Sequence, residues 1–207
     1  MRIGVMGAGS VGCYVGGRLA HAGHDVIFVG RRALGDEIAQ HGLTLTSFED
    51  TIEVGQIEWS DDPQVLAGVQ MVLVTVKGLA TAEVGEQLAS ILSTDCVVLS
   101  LQNGVRNGTQ LREHLSPRHV WPCMVPFNVL RLGAGRFHQG TSGHLTTSAR
   151  IPSSVAEAFA GADLPLELSP DIDAVLWGKL LINLNNALNA LAGIPLKRQL
   201  EDRRWRR

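Results

Sequence analysis

The chain has 207 residues with a formal net charge of −2, and 45% of its residues are hydrophobic against 18% charged. That is room for one full globular domain and part of another. The near-neutral balance argues against a nucleic-acid surface, and no uninterrupted apolar run reaches the roughly eighteen residues of a membrane helix.

Residues 2–6 read as a short apolar strand, 7–12 as a turn, and 11–22 as a helix that Gly23 can end with a left-handed cap. Residues 25–29, "DVIFV", form the next strand, completing a β-turn-α-β pattern typical of a parallel sheet. A helix over 33–41 and strands over 43–47 and 51–54 follow. Residues 69–76 and 96–101 are continuous apolar runs, as expected of strands covered on both faces, with a crossover helix over 81–92 between them. A helix over 109–115 stops before Pro117. Between residues 120 and 147, glycines at Gly133, Gly135, Gly140 and Gly143 separate short strand-like pieces, which predicts an antiparallel addition at the sheet edge. A helix over 154–162 and a strand over 166–169 lead to Pro170, and a long helix spans 172–192. The closing basic stretch, Arg203–Arg207, reads as a solvated tail.

The turn "GAGSVG" sets Gly7, Gly9 and Gly12 in G-x-G-x-x-G spacing, directly after a strand and opening a helix. That context makes it a dinucleotide fingerprint. Gly7 permits the tight turn, Gly9 lets a pyrophosphate approach, and Gly12 lets helix and strand pack. Ala8, Ser10 and Val11 complete the loop, and the helix N-terminus offers its N–H groups to phosphate. The fold class is therefore α/β: a Rossmann-type dinucleotide-binding domain over residues 1–169. The first part of a helical second domain follows over residues 170–207.

An NAD site wants a carboxylate at the end of the second strand. Here that place holds Gly30, Arg31 and Arg32, while Asp25 lies at the strand's opposite end. An arginine there suits a 2′-phosphate, so NADPH is the expected cofactor and Arg31 its ligand. Lys77 and Asn103 follow two of the buried-looking strands, at the edge where α/β sheets bind ligands.

The long helix, "LWGKLLINLNNALNALAG", places Lys179, Asn183 and Asn186 on one face at i, i+4 and i+7. Its other faces are apolar enough to predict a largely buried helix. An ammonium in such a setting is usually employed. Lys179 is the candidate source of charge or a proton, and Asn183 and Asn186 are candidate ligands of an oxygen-rich small molecule. Asn185 and Asn189 fall off this stripe. No histidine or cysteine spacing suits a metal, and none is expected. The three separated cysteines, Cys13, Cys96 and Cys123, fit free thiols in a reducing compartment, the cytoplasm.

The segments "GAGSVG", "VTVKG" around Lys77, "LQNG" around Asn103 and "WGKLLINLNNALNAL" from Trp177, in this order, resemble the ketopantoate reductase family. The resemblance implies NADPH-dependent reduction of ketopantoate to pantoate, toward pantothenate and coenzyme A. It implies that Lys179 is the general acid, that Asn103 and Asn183 touch substrate or cofactor, and that Lys77 lies in the cofactor cleft. Some relatives carry a further asparagine where this chain has Ala187, and Asn186 is taken as its neighbour. The resemblance also implies a longer protein, whose helical domain closes over the substrate and supplies a serine and a glutamate. Neither has a counterpart here, so the chain is expected either to be a truncated gene product or to pair its exposed helix with another chain. Two alternatives remain open at this stage: a noncatalytic NADP-binding remnant, and a β-hydroxyacid dehydrogenase, whose pattern also carries lysine and asparagine four residues apart.

Overall fold

The computed structural model describes residues 1–115 and 119–193, with residues 198 and 201. Pro117 and the tail Arg203–Arg207 lie outside the described residues. The first third forms β1 (Arg2–Met6), α1 (Ser10–His21), β2 (Asp25–Val29), α2 (Arg32–His41), β3 (Leu43–Thr46) and β4 (Thr51–Val54). Next come β5 (Glu58–Ser60), β6 (Met71–Val74), α3 (Thr81–Ile91), β7 (Val97–Ser100) and α4 (Asn107–His114). The remainder forms β8 (Val120–Met124), β9 (Val129–Gly133), β10 (Arg136–Gln139), β11 (Thr146–Ser148), α5 (Ser153–Gly161), β12 (Glu167–Ser169) and α6 (Ile172–Ala192).

Eight strands pair in the order β12-β11-β8-β7-β6-β1-β2-β5. The six from β5 to β8 are mutually parallel. Numbered along the chain, they take the 3-2-1-4-5-6 order of the doubly wound dinucleotide fold. Register is uniform: Ser60, Val29, Met6, Val74, Ser100 and Pro122 form one row across the sheet. Each of the six strands therefore leaves the sheet on the same edge, one to a few residues past that row.

A second sheet, β4-β3-β10-β9, lies on the far side of α1. Eight consecutive residues of this helix, Gly12 to Leu19, are buried. Two neighbouring glycines fit it between the layers. A Cβ at Gly16 would stand 2.7 Å from Val5 and Phe28 of the main sheet, and one at Gly17 would stand 2.9 Å from Leu45 of the second. Buried Arg18 fastens the sandwich through Asp50 at 3.1 Å, Asp163 at 2.8 Å and the Ala162 carbonyl at 3.2 Å. Glu37 of α2 accepts from the Gly135 N–H at 2.9 Å and pairs with Arg131, joining α2 to the β9–β10 hairpin. Those bonds, the backbone one foremost, hold the Glu37 carboxyl below the usual carboxylate range.

Two expectations need correction, and one strand was not foreseen. Residues 120–147 are not one antiparallel addition: β8 is the sixth parallel strand, β9 and β10 join the second sheet, and only β11 runs antiparallel at the edge. Strand β5 was not expected, because its three residues, "EWS", show no apolar run. Helix α6 is not largely buried. Leu176 is buried, but Leu181, Ile182 and Leu184 are exposed, as are Trp177 at 56% and Leu191 at 87%. Among the described residues the helix packs chiefly on β8 and β11, which leave these side chains exposed.

Cys13, Cys96 and Cys123 are free and buried, and burial pushes the thiols of Cys13 and Cys96 up to about 12 and that of Cys123 higher still. The native protein should therefore leave all three thiols nearly unreactive toward a disulfide reagent at pH 8, with all three reacting once guanidinium unfolds it. Between the ordinary thiol value and the raised one the native state holds more protons than the unfolded chain, so stability should fall as pH rises past about 9. Rapid native labelling at pH 8 would contradict this packing.

Candidate active site at the carboxyl edge of the sheet

The glycine turn leaves β1 at the centre of the edge. Strand β2 holds it from one side, where the Gly7 and Ala8 N–H groups both donate to the Val29 carbonyl, at 2.9 and 2.8 Å. From the other side Thr75, just past β6, donates its hydroxyl to the Gly7 carbonyl at 2.8 Å. Gly7 has φ +94°, and a Cβ there would lie 2.8 Å from the Val76 backbone nitrogen. A Cβ at Gly12 would meet Thr75 Oγ1 at 2.6 Å and Val5 at 2.9 Å. Both are required by the fold. Gly9 is different: it is exposed, and a Cβ there would touch only the Gly7 carbonyl, at 3.8 Å.

Helix α1 starts at Ser10 with Gly9 as its cap, so no side chain caps it and its first turn carries no acidic residue. The N–H groups of Ser10, Val11 and Gly12 stand in the turn whose donors lack intrahelical partners. The helix field favours an anion there.

Arg31 lies two residues past the register row on β2, at the cap of α2, with an exposed side chain. Arg32, also exposed, opens the helix. Asp25 sits at the opposite edge and pairs with Arg2 at 3.5 Å. Lys77 stands three residues past the row on β6, exposed, capping a short 3-10 turn over Gly78–Ala80. Asn103 stands three residues past the row on β7, also exposed, and its carbonyl accepts from Asn107 Nδ2 at 2.7 Å.

Half-buried Lys179 reaches the same edge from α6, its Nζ donating to the Pro126 carbonyl at 3.2 Å, four residues past the row on β8. Asn183 is half-buried and Asn186 exposed, and the two amides meet at 3.5 Å. The side chain of Asn189 lies outside the described residues.

Arg31, the glycine turn, Lys77, Asn103 and Lys179 thus lie along one edge, in that order, while Asn183 and Asn186 follow farther along α6. From β2 to β8 is four strand steps, or about 19 Å at the usual spacing. A cavity of 330 Å³ bordered by Arg18, Asp50, Phe127 and His144 lies elsewhere, and none of these site residues lines it. Sequence reasoning missed Thr75 and Gln102, whose side chains brace the turn and the Asn103 loop. Their signal was a polar residue at the end of an apolar run, in "VLVTV" and "VLSLQ". Among the described residues no three His, Cys, Asp or Glu side chains are grouped to hold a metal. None of the helices among the described residues is long and apolar enough to cross a membrane.

Strand order, glycine turn and open edge define a dinucleotide-binding α/β protein of Rossmann type. The family model of ketopantoate reductase PanE/ApbA matches residues 3–150. The chain belongs to that family of dinucleotide-binding oxidoreductases. The crystal structure of a PanE/ApbA family ketopantoate reductase from Ralstonia eutropha JMP134 superposes with TM-score 0.89 at 34% identity, covering 98% of this chain and 68% of that one. A 2-dehydropantoate 2-reductase from Geobacter metallireducens GS-15 gives TM-score 0.91 at 25% identity, covering all of this chain and 70% of that one. The curated 2-dehydropantoate 2-reductase of Halobacterium salinarum is 30% identical over 206 residues, 94% of this chain and 66% of its own length. The chain thus spans about two thirds of the length of the relatives it matches.

Replacing Gly7 with alanine should cost about 2 kcal/mol or more in urea unfolding, from the positive φ and the backbone clash. Gly9→Ala should stay within about 0.5 kcal/mol of the parent. Equal losses would mean that the fold requires both glycines alike.

Proposed function

We propose that this chain carries the cofactor site and the catalytic lysine of an NADPH-dependent reductase. Its substrate is 2-dehydropantoate (ketopantoate), reduced to pantoate on the way to pantothenate and coenzyme A. Family membership supports the reaction class. The observation that carries the reading is the docking of Lys179 on the Pro126 carbonyl, at the edge where the glycine turn also opens.

The residues fit a dinucleotide. Gly9 is glycine where the fold leaves room for a Cβ, which favours a ligand that needs the space. The uncapped first turn of α1 suits a pyrophosphate held by Gly7, Ala8, Gly9, Ser10, Val11 and Gly12. Arg31 is the ligand of a 2′-phosphate, and Lys77 and Asn103 border the remainder of the cofactor. Bound NADPH supplies the hydride that adds to the keto carbon. Lys179 then has one role, at the keto oxygen. Its ammonium has three N–H donors. The Pro126 carbonyl takes one and aims the group, leaving two to stabilise the growing oxyanion and deliver a proton. Asn183 and Asn186, with Asn103, orient the keto acid through neutral hydrogen bonds that leave the ammonium uncompensated.

Residues 170–207 are read as the opening of a second domain. The apolar face that α6 exposes among the described residues is read as a surface for a second copy of the chain or for the rest of that domain. The cytoplasm is the proposed compartment, supported by three free cysteines.

The test is NADPH oxidation with ketopantoate beside NADPH and NADH binding by fluorescence. Lys179→Ala should lower turnover by about 100-fold or more while NADPH binding stays within a few-fold. Arg31→Ala should weaken NADPH about tenfold or more and leave NADH nearly unchanged. Parent-like turnover in Lys179→Ala would overturn the catalytic assignment, and equal losses for both cofactors would overturn the choice of NADPH.

A further inference from the structure

Four of the buried polar side chains of the described residues, Thr81, Ser100, Gln102 and Asn107, gather behind the site rather than in it. Each is more than nine-tenths buried. Their bonds run in one direction. The Ser100 hydroxyl donates to Gln102 Oε1 at 3.0 Å. Gln102 Nε2 donates both to the Val76 carbonyl at 3.0 Å and to Thr81 Oγ1 at 2.8 Å. The Thr81 hydroxyl donates to Asn107 Oδ1 at 3.2 Å, and Asn107 Nδ2 donates to the Asn103 carbonyl at 2.7 Å.

We infer that Gln102 is a positioning residue, the centre of a buried relay that fixes the Lys77 and Asn103 loops relative to each other. This rests on the reading that those two loops border the cofactor. The relay grips the backbone one residue before Lys77, at Val76, and again at Asn103 itself. The neighbouring glycines sit close to it: a Cβ at Gly78 would stand 3.3 Å from Asn107 Oδ1, and one at Gly104 would stand 3.4 Å from Nδ2.

The direction of the relay admits one arrangement. A flipped Gln102 amide would set its oxygen against the Val76 carbonyl, which can only accept. Thr81 opens α3 and Asn107 opens α4, so the relay also joins the starts of two packed helices to the ends of β6 and β7. A buried polar group left unpaired is unfavourable, so loss of one member disturbs the others. Gln102 itself need touch neither substrate nor cofactor. Its effect passes through where Lys77 and Asn103 stand.

The test is an NADPH fluorescence titration of the full chain in two backgrounds, with a thermal melt of each variant. Gln102→Met keeps the volume and removes the amide. It should raise the NADPH Kd about tenfold in the parent, but less than about twofold in a Lys77→Ala/Asn103→Ala background, the non-additivity of residues acting through one another. Thr81→Val should behave as Gln102→Met does, and Thr81→Ser, which restores the hydroxyl, should bind like the parent. That pair decides the matter if Gln102→Met fails to fold. An equal factor in both backgrounds, or parent-like affinity in Gln102→Met, overturns the relay's role while the site reading survives. Parent-like affinity in the Lys77→Ala/Asn103→Ala chain sinks the site reading, and the relay's role with it.

Discussion

One row of paired residues, Ser60–Val29–Met6–Val74–Ser100–Pro122, governs the rest of the molecule. Because the six strands are parallel and in register, every chain segment that leaves them emerges on the same side. Up to the row, β1, β2, β6 and β7 are almost wholly buried, since helices cover parallel sheets on both faces. Past the row the chain reaches solvent, and residues of a different kind are affordable within a few positions: Gly7 to Gly12, Arg31, Lys77, Asn103. The chemistry of the edge is thus a consequence of strand direction. Lys179 joins it from another element, because α6 packs where β8 and β11 meet.

The edge is held by polar side chains that sit one layer back. Thr75 ties β6 to the glycine turn, and Gln102 with Thr81 and Asn107 ties the β6 loop to the β7 loop. None of these side chains faces open water in the way Arg31 or Lys77 does. A positioned edge needs such support, since a ligand held by exposed, flexible side chains depends on a backbone that does not drift. The second sheet does comparable work at the back of α1. Arg18 and its two carboxylates keep the helix seated, and with it the N-terminal turn at the centre of the site.

How much of this is legible in the sequence depends on how local the cause is. The β1-turn-α1-β2 unit is read correctly to within a residue, because turn, helix period and strand lie within about thirty positions. Lys77 and Asn103 are legible as candidates because each ends an apolar run. The second sheet is not. Its central pairing joins Thr44 to Arg136 and Leu45 to Phe137, a contact no periodicity encodes. Strand β5 is three residues long and shows no apolar run. Thr75 and Gln102 look like ordinary strand-end residues until Gly7 and Thr81, distant in the chain, come within bonding distance. For α6 the sequence reports an apolar circumference truthfully, but a circumference does not say what covers it. Here β8 and β11 cover one side and leave Trp177 and Leu191 in water.

The central claim is that a dinucleotide lies along the carboxyl edge, from Arg31 across the glycine turn toward Lys179. Amide hydrogen exchange read by mass spectrometry, with and without saturating NADPH, tests it most directly. Added protection should concentrate in residues 7–13, 30–35, 76–80 and 102–107, with little change at 47–50 and 141–145 around the separate cavity. Protection centred on that cavity, with the glycine turn exchanging as freely as before, would contradict it.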